Sequence, residues 1–349
     1  MSSSTTHAVK NPARFDVVGI GNAIVDVIAH AEDAFLTRHD LAKGAMTLID
    51  APRAEDLYGK MASAIEASGG SAANSMAGLA SLGGRAAFIG KTRDDQLGAI
   101  FRHDIRAAGV HFASAPATDG LSTARCLIFV TPDAQRTMQT FLGASVDLGP
   151  DDVDADLISS AAVIYLEGYL WDRPQAKAAF QLAAGIAHDA GRKVALTLSD
   201  AFCVDRHRAD FRKLIEGHVD VLFANEAEIK SLYQVEDFDA ALAQVRHHCE
   251  VAALTRSEKG AVIIAGDRIH TIAAAPVARV VDTTGAGDLY AAGFLYGYTR
   301  ALPLETCGRI GAIAAAEIIS HYGARPEANL ADLIAAKLGP LPTTAKAAV

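Results

Sequence analysis

The sequence predicts an α/β fold with a mostly parallel central sheet, helices on both faces and a small β lid. Short, almost wholly apolar segments such as residues 219–223 alternate along the chain with helix-like segments. Such strands are typical of a parallel sheet that is buried on both faces. Two further strand-like segments flank residues 131–134 and interrupt this alternation. They predict a hairpin at the centre of an antiparallel lid.

Each element is predicted from its own pattern. Residues 95–108, for example, are predicted to be helical because Leu97, Ile100, Phe101 and Ile105 recur at helical spacing. The predicted strands are 15–20, 25–29, 86–90, 123–130, 137–142, 162–166, 193–198, 219–223, 251–255, 260–265 and, less regularly, 278–281. The predicted helices are 70–82, 95–108, 175–190, 209–216, 226–233, 238–248, 288–299 and 304–319. We expect one domain over residues 15–335, a discontinuous lid from about 41–50 and 113–142, and a flexible tail at 1–12.

Composition excludes several classes of protein. The chain has 349 residues, 50% of them hydrophobic, and a net charge of −9 from 32 basic and 41 acidic side chains. Without a long basic run, it is a poor candidate for binding polymeric nucleic acid. Its four cysteines form no CxxC pair, which argues against a zinc site or a disulfide framework. We expect a cytoplasmic protein with no membrane partner, because neither a signal peptide nor an apolar stretch of transmembrane length is visible.

The most informative segment is Asp282-Thr283-Thr284-Gly285-Ala286-Gly287-Asp288, which precedes an apolar helix-like run. Backbone N–H groups at such a glycine-rich helix start can bind an anion. Asp288 lies beside that anion site, where it can accept a proton from a hydroxyl that attacks a phosphoryl group. The alternative is a glycine turn in which Asp288 caps the helix.

A second glycine pattern lies near the N-terminus. Gly19-Ile20-Gly21-Asn22 follows a strand, as in a dinucleotide-binding fingerprint. Ile24 replaces the third glycine, however, and a strand-like run follows where a helix would begin, which argues against a dehydrogenase. We interpret the segment as a tight crossing between strands that presents Asp26. The alternative is that Asp26 only caps a turn.

A third pattern is Ser68-Gly69-Gly70-Ser71-Ala72-Ala73-Asn74. Adjacent glycines let the backbone approach a ligand closely. Asn74 lies one helical turn beyond Gly70, and its amide can donate to one hydroxyl and accept from another. The alternative is a small-residue helix packed on the sheet and capped by Ser71.

Two further sets of residues suit phosphate chemistry. Asn225 follows an apolar strand and Glu228 lies in the first turn of the next helix, so the pair suits a hydrated Mg²⁺. The same spacing fits an N-cap and its capping-box partner, and both interpretations can hold together. Arg136 follows the hairpin turn and either extends over the site or lies in solvent.

Together, these motifs resemble the ribokinase-like (PfkB) family of carbohydrate and nucleoside kinases. The segment from Asp282 to Asp288 is similar to that family's C-terminal signature, and the Gly69-Gly70 and Asn225…Glu228 motifs follow the family's order. The resemblance extends over about residues 15–335. Within the family, residues 22–26, 70–74, 136–138 and 223–226 are most similar to the adenosine kinases, whereas residues 167–172 and 199–203 do not settle which base is bound.

The resemblance implies a role for each matched residue. Asp288 would be the general base, and Gly285, Ala286 and Gly287 would form the anion hole. Asp26, Gly70 and Asn74 would bind the ribose hydroxyls, and Arg136 would lie in the lid. Asn225 and Glu228 would hold Mg²⁺ through water and order the ATP phosphates, and ATP would also contact Thr255, Gly260 and Thr283. The base pocket would contain Met138, Thr140, Leu142 and Tyr169.

We therefore expect an ATP- and Mg²⁺-dependent kinase that phosphorylates the 5′-hydroxyl of a nucleoside, with adenosine as the first candidate. A sugar kinase of the same family, an inosine or guanosine kinase, and a catalytically silent binding protein are the alternatives. Phosphoryl transfer depends on alignment and charge stabilisation, which these motifs supply. The chain lacks a Walker A motif, which argues against a P-loop kinase. Both a monomer and a homodimer remain open.

Overall fold

The computed structural model describes residues 12–133 and 135–341. The predicted tail, apart from Pro12, lies outside the described residues. The described chain forms two β-sheets with helices packed against them. No helix among the described residues is long and apolar enough to cross a membrane.

The larger sheet has eight strands and confirms the predicted fold class. Its order is β13-β12-β11-β10-β9-β8-β1-β5, and every pair from β5 to β11 is parallel, whereas β12 and β13 add an antiparallel edge. The strands are β1 (Phe15–Ile20), β5 (Ala86–Ile89), β8 (Ala161–Glu167), β9 (Lys193–Thr197), β10 (Val221–Asn225), β11 (Val251–Thr255), β12 (Ala261–Ala265) and β13 (Arg268–Ile272).

The smaller sheet has five strands in the order β3-β7-β6-β2-β4. The expectation of an antiparallel lid is wrong, because β2–β6 and β3–β7 are parallel and only β6–β7 and β2–β4 are antiparallel. Its strands are β2 (Ile24–His30), β3 (Met46–Leu48), β4 (Ile65–Gly69), β6 (Ala124–Val130) and β7 (Arg136–Phe141). Strands β2 and β4 lie outside residues 41–50 and 113–142. Whether this sheet moves as a lid stays a prediction.

Helices cover both faces of the larger sheet, because successive strand residues point to opposite sides. The helices are α1 (Asp33–Arg38), α2 (Ala51–Tyr58), α3 (Ser71–Ser81), α4 (Gln96–Ala107), α5 (Ala155–Ser159), α6 (Pro174–Asp189), α7 (Ala201–His218), α8 (Glu226–Tyr233), α9 (Phe238–Val245), α10 (Ala286–Tyr298), α11 (Leu304–Ile318) and α12 (Leu330–Leu338). On β1, Val17 packs into one apolar core with residues of α10 and α11, and Val18 packs into the other with residues of α6 and α7.

The segment before the signature is not a strand, contrary to prediction. Residues 278–281 pair with no strand, and the Val281 N–H donates instead to the carbonyl of Ile319 at the end of α11. Helix α10 begins at Ala286, two residues earlier than predicted, because Gly285 adopts a left-handed conformation that ends the preceding turn. Strands β4 and β13 were not predicted, since Ile-Glu-Ala-Ser-Gly and Arg-Ile-His-Thr-Ile lack a long apolar run.

Candidate active site

The N-terminus of α10 forms an open, electropositive cradle. Gly285 precedes the helix with a φ of +78°, and no described side chain caps the helix start. The N–H groups of the first helical turn, including those of Gly287 and Asp288, have no acceptor within the helix. A Cβ atom placed on Gly287 would meet no described atom within 4 Å. The cradle therefore has room for an anion and the partial positive charge to bind one.

Asp288, in the first turn of α10, is held by two side chains of α3. The Ser71 hydroxyl donates to Oδ1 at 2.6 Å, and the Asn74 amide donates to Oδ2 at 3.0 Å. Burial raises the pKa of Asp288, and these two hydrogen bonds and the charge of Arg325 oppose that rise. Ser71 is not the cap of α3, contrary to the alternative above, because that cap is Gly70 and makes no side-chain hydrogen bond.

Asn74 also offers an unused acceptor. Asn74 is only 5% exposed, and its Oδ1 atom has no hydrogen-bond partner among the described residues. A buried amide oxygen without a donor carries a free-energy cost of roughly 1–3 kcal/mol. Asn74 Oδ1 is therefore available to accept a hydrogen bond from a ligand.

Gly69 and Gly70 let two chain crossings between the sheets pack against each other. Gly70 has a φ of +96°, and a Cβ atom there would lie 2.3 Å from the carbonyl oxygen of Asn22. A Cβ atom on Gly69 would lie 2.6 Å from Oδ2 of Asp26. The glycine pair thus brings the start of α3, with Ser71 and Asn74, next to the strand that carries Asp26.

Asp26 lies on β2, half-buried at the face of the smaller sheet nearest this crossing. Burial raises its pKa to about 6; the positive charges of Arg136 and Arg325 oppose this rise, and the negative charges of Asp288 and Asp282 add to it. The sequence-predicted carboxylates Asp26 and Asp288 therefore share one electrostatic environment.

The face of the smaller sheet that carries Asp26 is otherwise largely apolar. In the strand register, Asp26 is level with Cys126 and Thr140, and Met138 and Leu142 lie two positions before and after Thr140. The same register and alternation place four further residues on this face, which sequence reasoning missed: Ile24, Ile28, Met46 and Leu48. Met46 and Leu48 are 43% and 45% exposed. In β2, apolar residues occupy both alternating sets of positions, so the sequence did not show which side chains face the site.

Tyr169 lies immediately after β8, at the carboxyl end of the larger sheet. Its hydroxyl donates to the carbonyl of Ser199 at 3.2 Å, and its backbone N–H donates to the Ser199 hydroxyl at 3.1 Å. Burial raises the pKa of Tyr169, with further contributions from Asp200 and Asp288. Phe202, in the first turn of α7, is 64% exposed near this edge and had no predicted role.

Asn225 and Glu228 form a complete capping box at the start of α8. The Glu228 N–H donates to Asn225 Oδ1 at 2.8 Å, the Asn225 N–H donates to Glu228 Oε2 at 3.0 Å, and the Asn225 amide also donates to Glu228 Oε1. Burial raises the pKa of Glu228 to about 7, and Asp200 and Asp288 add to the rise. The capping interpretation is confirmed, while a metal role remains a prediction. The described residues contain no cluster of three or more His, Cys, Asp or Glu side chains able to hold a metal ion.

The three remaining predicted ATP contacts differ in placement. Thr255 is in register with Asn225, so the ends of β10 and β11 lie side by side. Thr283 is exposed in the loop before α10. Gly260 has a local structural reason to be glycine, because its φ is +84° and a Cβ atom there would lie 2.0 Å from the carbonyl oxygen of Ile272.

Arg136 connects the smaller sheet to the signature loop. Its guanidinium forms a salt bridge with Asp282 and donates to Oγ1 of Thr284 at 3.2 Å. Asp282 also accepts hydrogen bonds from the Thr284 and Gly323 N–H groups. The Arg136 and Asp282 side chains are only 10% and 6% exposed, so a solvated Arg136 is excluded.

Sequence reasoning assigned no role to Glu167, which ends β8. Its carboxylate accepts from the side-chain amide and N–H of Asn22 at 2.6 and 3.3 Å and from the Ala72 N–H at 2.8 Å. Asn22 in turn accepts from the Ser145 hydroxyl at 2.9 Å. Burial raises the pKa of Glu167 to about 7. A carboxylate at the end of an apolar strand was the signal that could have identified it.

Arg325, in the loop between α11 and α12, was missed as well. Its guanidinium donates to the carbonyls of Ser68 and Ala73 at 3.2 and 2.7 Å and to the Ser68 hydroxyl at 3.2 Å. These acceptors flank Gly69 and Gly70. No sequence signal marks this arginine, because its partners lie about 250 residues earlier in the chain.

Comparisons with known proteins identify the family of this chain. Residues 44–330 match the sequence profile of the pfkB family carbohydrate kinases. The crystal structure of adenosine kinase from Sinorhizobium meliloti superimposes with a TM-score of 0.87 and 53% identity, covering 94% of this chain and 100% of that chain. A probable sugar kinase from Rhizobium etli gives a TM-score of 0.87 and 52% identity, covering 93% and 99%. An uncharacterized sugar kinase from Archaeoglobus fulgidus is 30% identical over 254 residues, which are 71% of this chain and 96% of that protein.

The profile match extends over most of the chain and includes three of the motifs around the site. Gly69-Gly70, the Asn225–Glu228 pair and the loop from Asp282 to Asp288 all lie within it. Asp26 lies before the matched residues. The chain belongs to the pfkB family of carbohydrate kinases.

Proposed function

We propose that the protein transfers the γ-phosphoryl group of ATP to the 5′-hydroxyl of adenosine and so forms AMP. The observation that carries this proposal is the 53% identity, over almost the whole chain, to a protein described as an adenosine kinase. The site geometry supports it, because Asp26, Asn74 and Asp288 lie around one glycine-rich crossing.

In this proposal the acceptor hydroxyl lies between Asp288 and the N-terminus of α10. Asp288 accepts the hydroxyl proton as the oxygen attacks the γ-phosphorus, and the bond from that phosphorus to the bridging oxygen breaks so that ADP leaves. The N–H groups of Gly285, Ala286 and Gly287 stabilise the charge on the transferring phosphoryl group. The Ala286 N–H also donates to the Thr283 carbonyl at 3.2 Å. Ser71 and Asn74 hold the Asp288 carboxylate in a fixed orientation, so little reorganisation is needed during the reaction.

The nucleoside extends from this point towards the smaller sheet. The ribose hydroxyls donate to the Asp26 carboxylate and to the unpartnered Oδ1 of Asn74, with Gly70 leaving room for the sugar. The base packs on the apolar face that carries Met138, Thr140 and Leu142. Tyr169 and the exposed Phe202 face it from the larger sheet.

ATP and Mg²⁺ fit the carboxyl edge of the larger sheet in this proposal. The ATP phosphates extend along the α10 cradle, with Thr255, Gly260 and Thr283 on the nucleotide side. Both Glu228 oxygens and Asn225 Oδ1 already accept hydrogen bonds, so these residues suit a hydrated ion that they contact through water. A bound Mg²⁺ would neutralise developing phosphate charge. We place the enzyme in the cytoplasm, as a monomer or a homodimer, without polymeric nucleic acid or membrane partners.

A sugar kinase is the second candidate. It is favoured by the 52% identity to the probable sugar kinase from Rhizobium etli and by the name of the Archaeoglobus fulgidus relative. The two candidates share the phosphoryl-transfer residues and differ in the acceptor. An inosine or guanosine kinase differs from the first candidate only in the base.

An acceptor panel tests the proposal. ADP formation and product mass are measured with ATP, Mg²⁺ and adenosine, inosine, guanosine, ribose or fructose. We expect adenosine to have a kcat/KM at least about tenfold above ribose and fructose, because only a nucleoside fills the apolar face. Faster turnover of inosine or guanosine than of adenosine would change the assigned base and keep the nucleoside. Asp288→Asn, purified in parallel, controls for contaminating kinases. Faster turnover of ribose or fructose would move the protein to the sugar kinases, and no turnover of any acceptor would support a silent binding protein.

A further inference from the structure

Arg325 lies in the loop between α11 and α12 and packs against the chain segment that contains Gly69 and Gly70. Its three hydrogen bonds reach both ends of the segment that contains Gly69 and Gly70. The loop that carries it is itself anchored, because Glu317 accepts from the N–H groups of Glu327 and Ala328 at 3.0 and 2.8 Å. The guanidinium is therefore fixed relative to α3.

The positive charge of Arg325 has no ion-pair partner among the described residues, since all three of its hydrogen bonds go to uncharged oxygens. Burial lowers the pKa of Arg325 to about 10, and the charges of Asp26, Asp288 and Asp104 oppose that effect. The side chain thus stays charged at neutral pH. A half-buried charge in this position is screened less than one at the surface, so it acts on its neighbours.

The charged groups around the two site carboxylates lie on different elements of the fold. Asp26 faces Arg136, Arg325, Asp288 and Asp282. Asp288 faces Arg325, and its own charge acts on Glu167 and Glu228. Arg136 lies on the smaller sheet and is neutralised by Asp282. Arg325 is the positive charge that acts on both Asp26 and Asp288.

We propose that Arg325 is a positioning residue for phosphoryl transfer, which fixes the Gly69–Gly70 segment and keeps Asp26 and Asp288 in the carboxylate form that binds and deprotonates the acceptor. This inference rests on the proposed function for the roles of the two carboxylates. The alternative is a purely structural arginine, whose loss would weaken the fold or the crossing without changing how either carboxylate titrates.

Two variants separate these roles. Arg325→Gln keeps hydrogen-bond donors but removes the charge. Arg325→Lys keeps the charge but removes the planar guanidinium, which can donate to several acceptors at once. The pH dependence of kcat/KM is measured for both and for the wild type. In Arg325→Gln, we expect the acidic limb to move up by about one pH unit, the shift that loss of a nearby opposite charge produces. In Arg325→Lys, we expect the limb to stay in place while KM rises several-fold. A limb unchanged in Arg325→Gln overturns the proposal.

A third variant leaves Arg325 untouched, in case its substitution prevents folding. Beside Arg325 lies a cavity of about 270 Å³ whose lining includes Ser68, Asp104 and Ala108. Ala108 is exposed at the end of α4, so Ala108→Glu adds a carboxylate at the cavity with little effect on packing. We expect it to move the acidic limb in the same direction as Arg325→Gln, whereas the matched Ala108→Gln leaves it in place. Equal profiles for these two variants count against the proposal.

Chemical rescue gives an independent measurement. Arg325→Ala extends the cavity, which leaves space for a free guanidinium ion. We expect guanidinium at non-denaturing concentrations to restore activity and the acidic limb, and sodium at the same ionic strength to restore neither. Rescue by both salts or by neither overturns the proposal. All profiles are recorded with the acceptor that the wild type phosphorylates best, so failure of adenosine as substrate remains distinguishable from failure of Arg325.

Discussion

Asn74 donates its amide hydrogen to Oδ2 of Asp288 at 3.0 Å, while its own Oδ1 is left without a partner. One side chain thus orients the proposed base and presents an acceptor to the substrate. In the proposed mechanism this geometry would link binding to catalysis, since a ligand that donates to Oδ1 would fix the amide that holds Asp288. The predictions below test the members of this site separately.

Asp288→Asn should lower kcat by about 10²–10⁴-fold, the usual loss when a general base is removed. The substitution preserves shape, so we expect the melting temperature and adenosine affinity to change little. Steady-state kinetics, equilibrium binding and thermal unfolding measure these three quantities. Ser71→Ala, which removes one hydrogen bond to the same carboxylate, should have a smaller effect. A variant that retains more than about a tenth of wild-type kcat would exclude Asp288 as the base.

2′-Deoxyadenosine should be phosphorylated at least about tenfold less efficiently than adenosine in kcat/KM, because Asp26 loses a charged hydrogen bond worth roughly 1.5–3 kcal/mol. Asp26→Ala should lose most of this discrimination. The ratio of kcat/KM for the two nucleosides, measured in both proteins, decides the matter. Equal efficiency with the two nucleosides in the wild type would remove Asp26 from the ribose site.

Glu228→Gln should raise the Mg²⁺ concentration needed for half-maximal activity and lower kcat, with nucleoside affinity little changed. Gln keeps an oxygen for the capping box but removes the negative charge that attracts a hydrated cation. Magnesium titrations at saturating ATP measure the effect. Glu226→Gln, in the same helical turn but paired with Arg256, is the matched control. Superimposable titrations for wild type and Glu228→Gln would leave Glu228 with its capping role alone.

Arg136→Met should lower kcat by about tenfold and increase ATP hydrolysis in the absence of acceptor. The salt bridge to Asp282 joins the smaller sheet to the signature loop, and its loss should let water reach the site. ADP release with and without nucleoside measures both effects. The control is Arg38→Met, at an exposed position at the end of α1. If the coupled and uncoupled rates are both unchanged, the salt bridge does not hold a lid closed.

Glu167→Gln should change how stability depends on pH. The folded-state pKa of Glu167 is raised by burial from 4.5 to about 7, so the folded protein binds more protons than the unfolded chain between these values. This carboxyl group therefore lowers the free energy of unfolding as the pH rises through that window, by roughly 3 kcal/mol in full. Urea unfolding at pH 5 and pH 8 should show a smaller loss for Glu167→Gln than for wild type. Glu236→Gln, at an exposed site, should behave as wild type, and a Glu167 variant that does the same would contradict the assignment.

Sequence patterns predicted the larger sheet well because its strands are buried on both faces and are therefore almost wholly apolar, as Val221 to Ala224 show. They also predicted the signature loop, whose chemistry is contiguous along the chain. Strand β4 was missed because Ile-Glu-Ala-Ser-Gly is stabilised by pairing with β2 and not by its own apolar content. Residues 278–281 were misassigned, since β-branched residues favour a strand even where no partner strand is present.

The parts of the site that could not be predicted depend on long-range contacts. Asn74 was expected to bind only sugar, but its hydrogen bond to Asp288 joins residues 214 positions apart. Arg325 and Glu167 likewise act on segments that are distant in sequence, and each looks like an ordinary charged residue in its local context. The two interpretations of Glu228 were both plausible because capping and water-mediated metal binding need the same residues at the same spacing.

The contact at Gly70 limits how the acceptor specificity of this protein can be redesigned. Any side chain at position 70 would overlap the carbonyl of Asn22 and would also require a left-handed backbone. A mutant library should therefore keep glycine there and vary the opposite wall, at Met138, Leu142, Met46 and Leu48. Met138, Met46 and Leu48 lie in the smaller sheet and Leu142 directly follows it, whereas the proposed phosphoryl-transfer residues lie at the start of α10. The choice of acceptor can therefore diverge while the transfer chemistry is kept. One fold can in this way give rise to kinases for nucleosides and for sugars.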